Sequence, residues 1–254
     1  MIERPPAEPA FWRRATSRAL DLLYPPACGV CRETLCHGRA LCDACRADLP
    51  RLAEPFCGKC GEMFPGQIDG PFACPNCAGL RFAFEFARPA MLRDDRTLDL
   101  IHRLKYGREI HLAPELGRLA LLAFEDARLA PALAGGWPLV PVPLHRSRLR
   151  HRHFNQAMEI SREIGRHAGL PVLDVLRRIR KTETQTLLSR RQRMENLHGA
   201  FAISRRGLRQ LARHPEGAIL IDDVLTTGST VNECAKTLVR AGIARVQVVT
   251  VMRG

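Results

Sequence analysis

Two groups of residues in this 254-residue chain could do chemistry: a set of cysteines near the N-terminus and a short polar loop near the C-terminus. Eight of the ten cysteines form four CxxC pairs, Cys28/Cys31, Cys42/Cys45, Cys57/Cys60 and Cys74/Cys77. Ten residues separate the first two pairs and thirteen the last two. Thiolates at i and i+3 converge on one ion across a tight turn, and two such turns complete a tetrahedron around Zn²⁺. Gly29, Gly58 and Gly61 lie in or beside these turns, where the backbone must fold back under the sulfurs. The spacing therefore predicts structural zinc, as two Cys₄ sites paired in chain order. An interleaved pairing, or one occupied site in place of two, is also compatible with it. A disulfide framework needs an oxidising compartment, and no export signal is read in the first residues, which predicts a cytoplasmic chain. A thioredoxin-type redox motif expects one CxxC beside a βαβ unit rather than four in a loop-rich stretch. Cys36, followed by His37, is a spare thiol or alternative ligand, and Cys234 falls in a predicted helix as a small buried apolar residue.

The second group is Ala218–Thr230, AILIDDVLTTGST. It reads as an apolar strand, two acids, and a small polar loop opening a helix. A strand apolar on both faces belongs in a parallel sheet, and ligands bind beyond the carboxyl ends of such strands. The amides of Thr226–Thr230 can then point at a phosphate, helped by the free N–H groups and dipole of the following helix. Gly228 lets the backbone approach closely, and Thr226, Thr227, Ser229 and Thr230 add hydroxyls. Asp222 and Asp223 are placed to accept hydrogen bonds from sugar hydroxyls. The segment is neither a Walker A loop nor GxGxxG. A second phosphate-directed set, Arg146, Arg148, Arg150 and Arg152, follows the strand at Val140; guanidinium forks suit a diphosphate. Lys105 is a weaker candidate for the same anion.

Charge supports anionic partners. The chain carries 39 Lys+Arg against 26 Asp+Glu, a formal +13. Residues 141–198 hold 13 basic and 5 acidic residues, +8 in 58 positions. Single-stranded nucleic acid is thus an expected partner, bound through its backbone with strong salt dependence. An aromatic content of 6% argues against an extended base-stacking platform. Hydrophobic and charged fractions of 46% and 26% are those of an ordinary globular protein. No apolar run approaches the ~20 residues of a membrane span.

The elements follow from periodicity. Residues 9–24 predict a basic amphipathic helix stopped by Pro25-Pro26, packed on the zinc module or, less favoured, contacting a membrane surface. Strands are predicted at 82–88, 138–143, 172–176, 200–203, 218–221 and 246–251. Helices are predicted around Leu98–Leu104 and over 112–129, 155–168 and 231–241. A turn is expected over 131–136 and a polar loop over 180–198. Strands alternating with helices imply an α/β layer with a mostly parallel sheet. The organisation is then a helix at 1–24, a zinc module at 25–80 and an α/β domain at 81–254.

IDDVLTTGST resembles the phosphoribosyl-pyrophosphate (PRPP) motif of type I phosphoribosyltransferases. The resemblance implies that Asp222 and Asp223 contact ribose hydroxyls, that Thr226, Thr227, Gly228, Ser229 and Thr230 hold the 5′-phosphate, and that Mg²⁺ accompanies PRPP. Thr226 stands where purine-salvage members often carry Asp, which argues against a 6-oxopurine acceptor. Together with the four CxxC pairs, PVPLHRSRLRHRHFNQA, Gln185 and Arg193…Asn196, the chain resembles the ComF/GntX family. That family joins a double zinc ribbon to a type I phosphoribosyltransferase fold. It is associated with natural competence and with incoming single-stranded DNA at the cytoplasmic side. A competence helicase or ATPase is an implied partner. An active phosphoribosyltransferase without a role in DNA uptake is the alternative, with 182–196 as a lid; the resemblance names no catalytic residue. The family's RGFNQ-like element stands here as Arg152–Gln156, with His153 in the glycine position.

Overall fold

The computed structural model describes residues 25–36, 38–64, 66, 70, 72–180 and 197–254. The expected helix at 9–24, His37, Gln185, Arg193, Asn196 and the expected lid lie outside these residues. The chain divides into two compact units, 1–48 and 49–254.

In the smaller unit, an antiparallel bridge between Ala27 and Thr34 closes the first cysteine turn. Cys28 N donates to Glu33 O at 2.7 Å and Gly29 N to Ala40 O at 2.8 Å. Helix α1 (Asp43–Asp48) opens on the second pair.

The larger unit is built on four parallel strands in the order β1 (Ala87–Met91), β6 (Arg245–Arg253), β5 (Gly217–Leu225) and β2 (Leu139–Pro141). Ala218–Ile221 and Val246–Val251 are buried throughout, because both central strands are covered on two faces. Helix α2 (Asp95–Tyr106) starts at Asp94, whose carboxylate accepts from the amides of Arg96 and Thr97. It buries Leu100, Ile101 and Leu104. Helix α3 (Ala113–Ala120) meets α6 (Gln156–Ala168). Asn155 caps α6, accepting from Ala157 N and donating through Nδ2 to Val142 O at 3.0 Å, which ties the helix start to the end of β2. A separate antiparallel pair, β3 (Leu176–Arg178) and β4 (Phe201–Ile203), lies outside the main sheet. Helix α8 (Ser229–Arg240) packs on β4, β5 and β6.

Several expected elements differ. The first strand begins at Ala87, not Phe82: Glu85 N still donates to Val246 O on β6, but Ala83 N turns away to Asn232 Oδ1. The helix expected over 112–129 breaks after Ala120 into 3₁₀ turns at Leu121–Glu125 and Ala127–Leu129. The Asp126 carboxylate caps the second by accepting from Arg128 N. The turn at 131–136 instead begins with a short helix, α4 (Ala130–Ala134), with Pro131 in its first turn, where a missing N–H costs nothing. The basic run after β2 is likewise helical, α5 (Arg146–Arg152), capped by His145 Nδ1 accepting from Ser147 N. The strand expected at 172–176 reduces to a bridge at Val172 and to β3. A further helix, α7 (Arg205–Leu211), starts at Ser204, whose hydroxyl accepts from Gly207 N.

β1 is the edge of the sheet, and its outer side is paired with residues 50–52. Leu52 N donates to Ala90 O, Leu92 N to Pro50 O, and Arg51 bridges Met91 in antiparallel sense.

Helix α5 ends at His153, which has φ +69. The left-handed turn that glycine would make is thus kept with a Cβ in place. Left-handed backbone costs an L-residue ~1–2 kcal/mol, partly offset by the greater chain entropy of unfolded glycine. His153→Gly should therefore raise stability by about 0.5–1 kcal/mol, read as a higher denaturant midpoint. An unchanged or lower midpoint would show that the imidazole contributes contacts worth at least the strain.

Candidate functional site

The cysteines pair in chain order. One cluster is Cys28, Cys31, Cys42 and Cys45; the other is Cys57, Cys60, Cys74 and Cys77. Within each, the sulfurs lie within 4.8 Å of one another. A tetrahedron with Zn–S bonds of ~2.3 Å has edges of about 3.8 Å. Cys31 Sγ–Cys42 Sγ and Cys60 Sγ–Cys74 Sγ are both 3.7 Å. Backbone amides point at sulfur as well: Cys42 N donates to Cys28 Sγ at 3.4 Å and Cys74 N to Cys57 Sγ at 3.3 Å. Burial pushes the Cys28 thiol up, but amides of Cys42, Cys31 and Val30 outweigh it and bring it down to about 6. Cys45 is pushed up to about 12 by its hydrogen bond to Cys42 and by burial. Four adjacent thiols thus cannot all ionise unaided, and a divalent cation resolves the conflict. Both clusters fit structural Zn²⁺.

The second cluster is built into the larger unit. All four of its cysteines are buried in the same apolar cluster as Leu220, Leu225 and Val248. The carbonyls of its turn are also used: Arg128 Nη1 donates to Gly58 O at 2.7 Å and Ala87 N to Lys59 O at 2.9 Å. Lys59 Nζ reaches Glu85 O at 2.5 Å.

Strand β5 runs on to Leu225, so Asp222 and Asp223 lie inside the strand rather than beyond it. Thr226–Gly228 then turn into α8. Gly228 is its N-cap with φ +76. Thr227 and Ser229 hydroxyls lie 2.9 Å apart, and Ser229 N approaches Thr227 Oγ1 at 3.4 Å. The turn is held from behind by Arg253 at the end of β6. Its Nη1 donates to Leu225 O at 2.7 Å and Thr226 O at 2.8 Å, while Nη2 pairs with Glu62 beside the Cys57/Cys60 turn. Between loop and cysteine turn lies a cavity of about 300 Å³ lined by Cys60, Asn76, Thr226, Thr227, Arg253 and Gly254.

The acid pair is not free to meet sugar hydroxyls as the sequence suggests. Asp223 is 4% exposed, and the Lys105 ammonium lies 2.5 Å from its Oδ2. Lys105, expected on a diphosphate, is therefore seated on an acid. Asp222 is half-buried; burial and then the charge of Asp223 raise its carboxyl well above the usual range, against the pull of Lys105. Mg²⁺ does not fit this pair as it stands, since the Lys105 ammonium already lies against the Asp223 carboxylate. Changing both acids to Asn would also strand Lys105, and breaking a buried ion pair costs about 3 kcal/mol or more.

The four arginines of α5 separate. Arg146 and Arg150 are exposed. Arg152 is 8% exposed, donates to Gln156 Oε1 at 3.2 Å and lies over the Tyr106 ring at 5.1 Å; it fastens α5 to α6 and α2 instead of facing outward. Arg148 is half-buried and near Arg178, a residue the motifs do not mark. Arg178 is buried beside Phe201, and burial followed by the Arg148 charge lowers its pKa, with Cys234 and Asp222 opposing. Arg253 and Glu62 sit in ordinary strand and loop context, and only the fold brings them to the loop, while Arg178 is brought near Asp222 instead. Among the described residues, no helix is long and apolar enough to cross a membrane.

The double zinc ribbon domain family matches residues 19–78. Competence protein F of Haemophilus influenzae is 31% identical over 234 residues, spanning 87% of this chain and 94% of its own length. DNA utilization protein YhgH of Escherichia coli K12 is 34% identical over 232 residues, spanning 89% and 96%. Competence protein ComFC of Bacillus subtilis is 25% identical over 252 residues, spanning 92% and 87%. With identities of 31% and 34% sustained along nearly the full length of two such relatives, the chain belongs to the ComF/GntX family, that of competence protein F.

Proposed function

We propose that this protein binds the phosphoribosyl group of PRPP at the loop after β5 and acts in the handling of single-stranded DNA during competence. The observation that carries the first part is the loop itself. Thr226–Thr230 lie at the carboxyl end of a central parallel strand that carries the two acids, with Gly228 left-handed at the mouth of a 12-residue helix. That arrangement offers amides, hydroxyls and a helix dipole to a phosphate. The second part is supported by relatives named for competence and DNA utilization, and by the exposed Arg146 and Arg150 in the +8 segment.

Two titrations test the proposal on the full chain. Ribose 5-phosphate and PRPP should each bind calorimetrically at one site. A fluorescent single-stranded oligonucleotide should bind with little sequence preference, and log affinity should fall with log salt with a slope of about −0.7 per phosphate contact. Arg146→Gln with Arg150→Gln should flatten that slope by roughly 1–1.5. Absence of oligonucleotide binding at low salt would remove the DNA role, and absence of sugar-phosphate binding would remove the phosphoribosyl site.

A further inference from the structure

Resting on the phosphoribosyl reading of the loop, we infer that Lys105 is the resident cation of the Asp222/Asp223 pair, standing where a divalent metal would stand and allowing an anionic sugar phosphate to approach the acids without Mg²⁺. Three independent features place it there. The ammonium is 2.5 Å from Asp223 Oδ2, with side-chain exposures of 17% and 6%. Lys105 follows the buried Leu100, Ile101 and Leu104 one residue after the last, so the packing of α2 fixes its direction. It also occupies the last turn of α2, where the helix dipole favours a cation.

The consequence is electrostatic. Two adjacent carboxylates beside a phosphate loop would repel a phosphorylated sugar, and a bare acid pair commonly recruits a divalent ion. With the lysine in place, one carboxylate is neutralised by a fixed charge that needs no metal. The other acid is left to accept or donate a hydrogen bond at a sugar hydroxyl. Lys105 is thus a positioning residue, acting through Asp223. It differs from a phosphate-binding lysine, which would have to leave the acid when ligand arrives and so restore the need for Mg²⁺.

Ribose 5-phosphate is the suitable probe, because PRPP carries Mg²⁺ on its own diphosphate. In the zinc-loaded full chain, its affinity should change less than about twofold when millimolar MgCl₂ is added. Lys105→Met should weaken it by about tenfold without Mg²⁺, the size of one lost charge-assisted interaction, and MgCl₂ should restore most of the loss. Lys105→Arg should stay independent of Mg²⁺. Mn²⁺ titration followed by electron paramagnetic resonance gives a readout without sugar: no site at the acids of the wild type, a new site in Lys105→Met, and its loss when Asp223→Asn is added. The inference is overturned if wild-type binding of ribose 5-phosphate requires Mg²⁺, if the wild type binds Mn²⁺ in a manner abolished by Asp223→Asn, or if Lys105→Met gains no Mn²⁺ site. Should Lys105→Met not fold, the wild-type measurements and Lys105→Arg still decide. If ribose 5-phosphate does not bind at all, the reading of the phosphate loop fails, while the Mn²⁺ titration still judges the lysine.

Discussion

Replacing Cys60 and Cys74 by serine should abolish cooperative unfolding of the larger unit, whereas replacing Cys31 and Cys45 should not. Each double change removes two of four ligands and should lower zinc from about two ions per chain to one. The difference lies in what surrounds each cluster. Cys57, Cys60, Cys74 and Cys77 share a core with Leu220, Leu225 and Val248, while the first cluster belongs to the separate compact unit 1–48. Structural zinc contributes on the order of 10 kcal/mol in zinc-finger peptides, comparable with the ~5–15 kcal/mol that holds a whole domain. Trp137, buried in the larger unit, reports the transition by fluorescence. Its midpoint should survive the Cys31/Cys45 change and collapse with the Cys60/Cys74 change. Equal effects of the two pairs would mean that the second cluster is as peripheral as its sequence resemblance to the first suggests. Ribose 5-phosphate binding should be lost with the second pair as well, because Glu62 beside the Cys57/Cys60 turn holds Arg253, and Arg253 holds the carbonyls of Leu225 and Thr226.

The second large effect is at Gly228. Gly228→Val should reduce ribose 5-phosphate affinity by far more than tenfold while leaving both zinc ions bound. A Cβ at this position would come no closer than 3.8 Å to Phe82 and Phe84, so the protein itself has room. The penalty is conformational: φ is +76, and left-handed backbone costs an L-residue ~1–2 kcal/mol, more when β-branched. The turn would relax by swinging its amides away from the phosphate position. Gly228→Asn should be milder, since Asn tolerates this region. Equal losses for Val and Asn would instead assign the effect to steric exclusion by the side chain.

The sequence was most informative where chemistry and local geometry coincide. Two thiols at i and i+3 must share a turn, so the CxxC spacing marked the eight ligands, while which turns share an ion came only from the structure. Ala218–Thr230 was legible as strand and then loop because an unbroken apolar run gives way to small polar residues, but the two acids fall inside the strand and not at its end. Asn155 and Gly169 bounded α6 because a cap is written in single residues. What could not be read depends on partners distant in sequence. Lys105 and Asp223 are 118 positions apart, and nothing local tells a lysine closing an amphipathic helix that an acid waits for it. Arg253 and Glu62 are 191 apart. The arginine run after β2 reads as a solvated loop by charge alone, yet arginine is a good helix former, and one histidine cap starts α5. The alternation Phe82, Phe84, Phe86 mimics a strand. Its side chains do pack inward, with the first two rings 4.8 Å apart, but the Ala83 amide goes to Asn232 Oδ1 and not to β6.

The pairing of residues 50–52 with β1 bears on how the protein can be cut. The cysteines end at Cys77, which invites a fragment beginning near residue 81. Such a fragment would lose Leu52 N and Arg51 from the outer side of β1 and leave Ala87–Met91 with open backbone donors and acceptors. A bare edge strand templates pairing with a second molecule. It would also uncover the surface at Pro89, so close to Gly61 that a Cβ there would come within 2.5 Å of the proline ring. Self-association through that edge, rather than a soluble domain, is the expected product. A fragment beginning at Leu49 keeps the edge sealed.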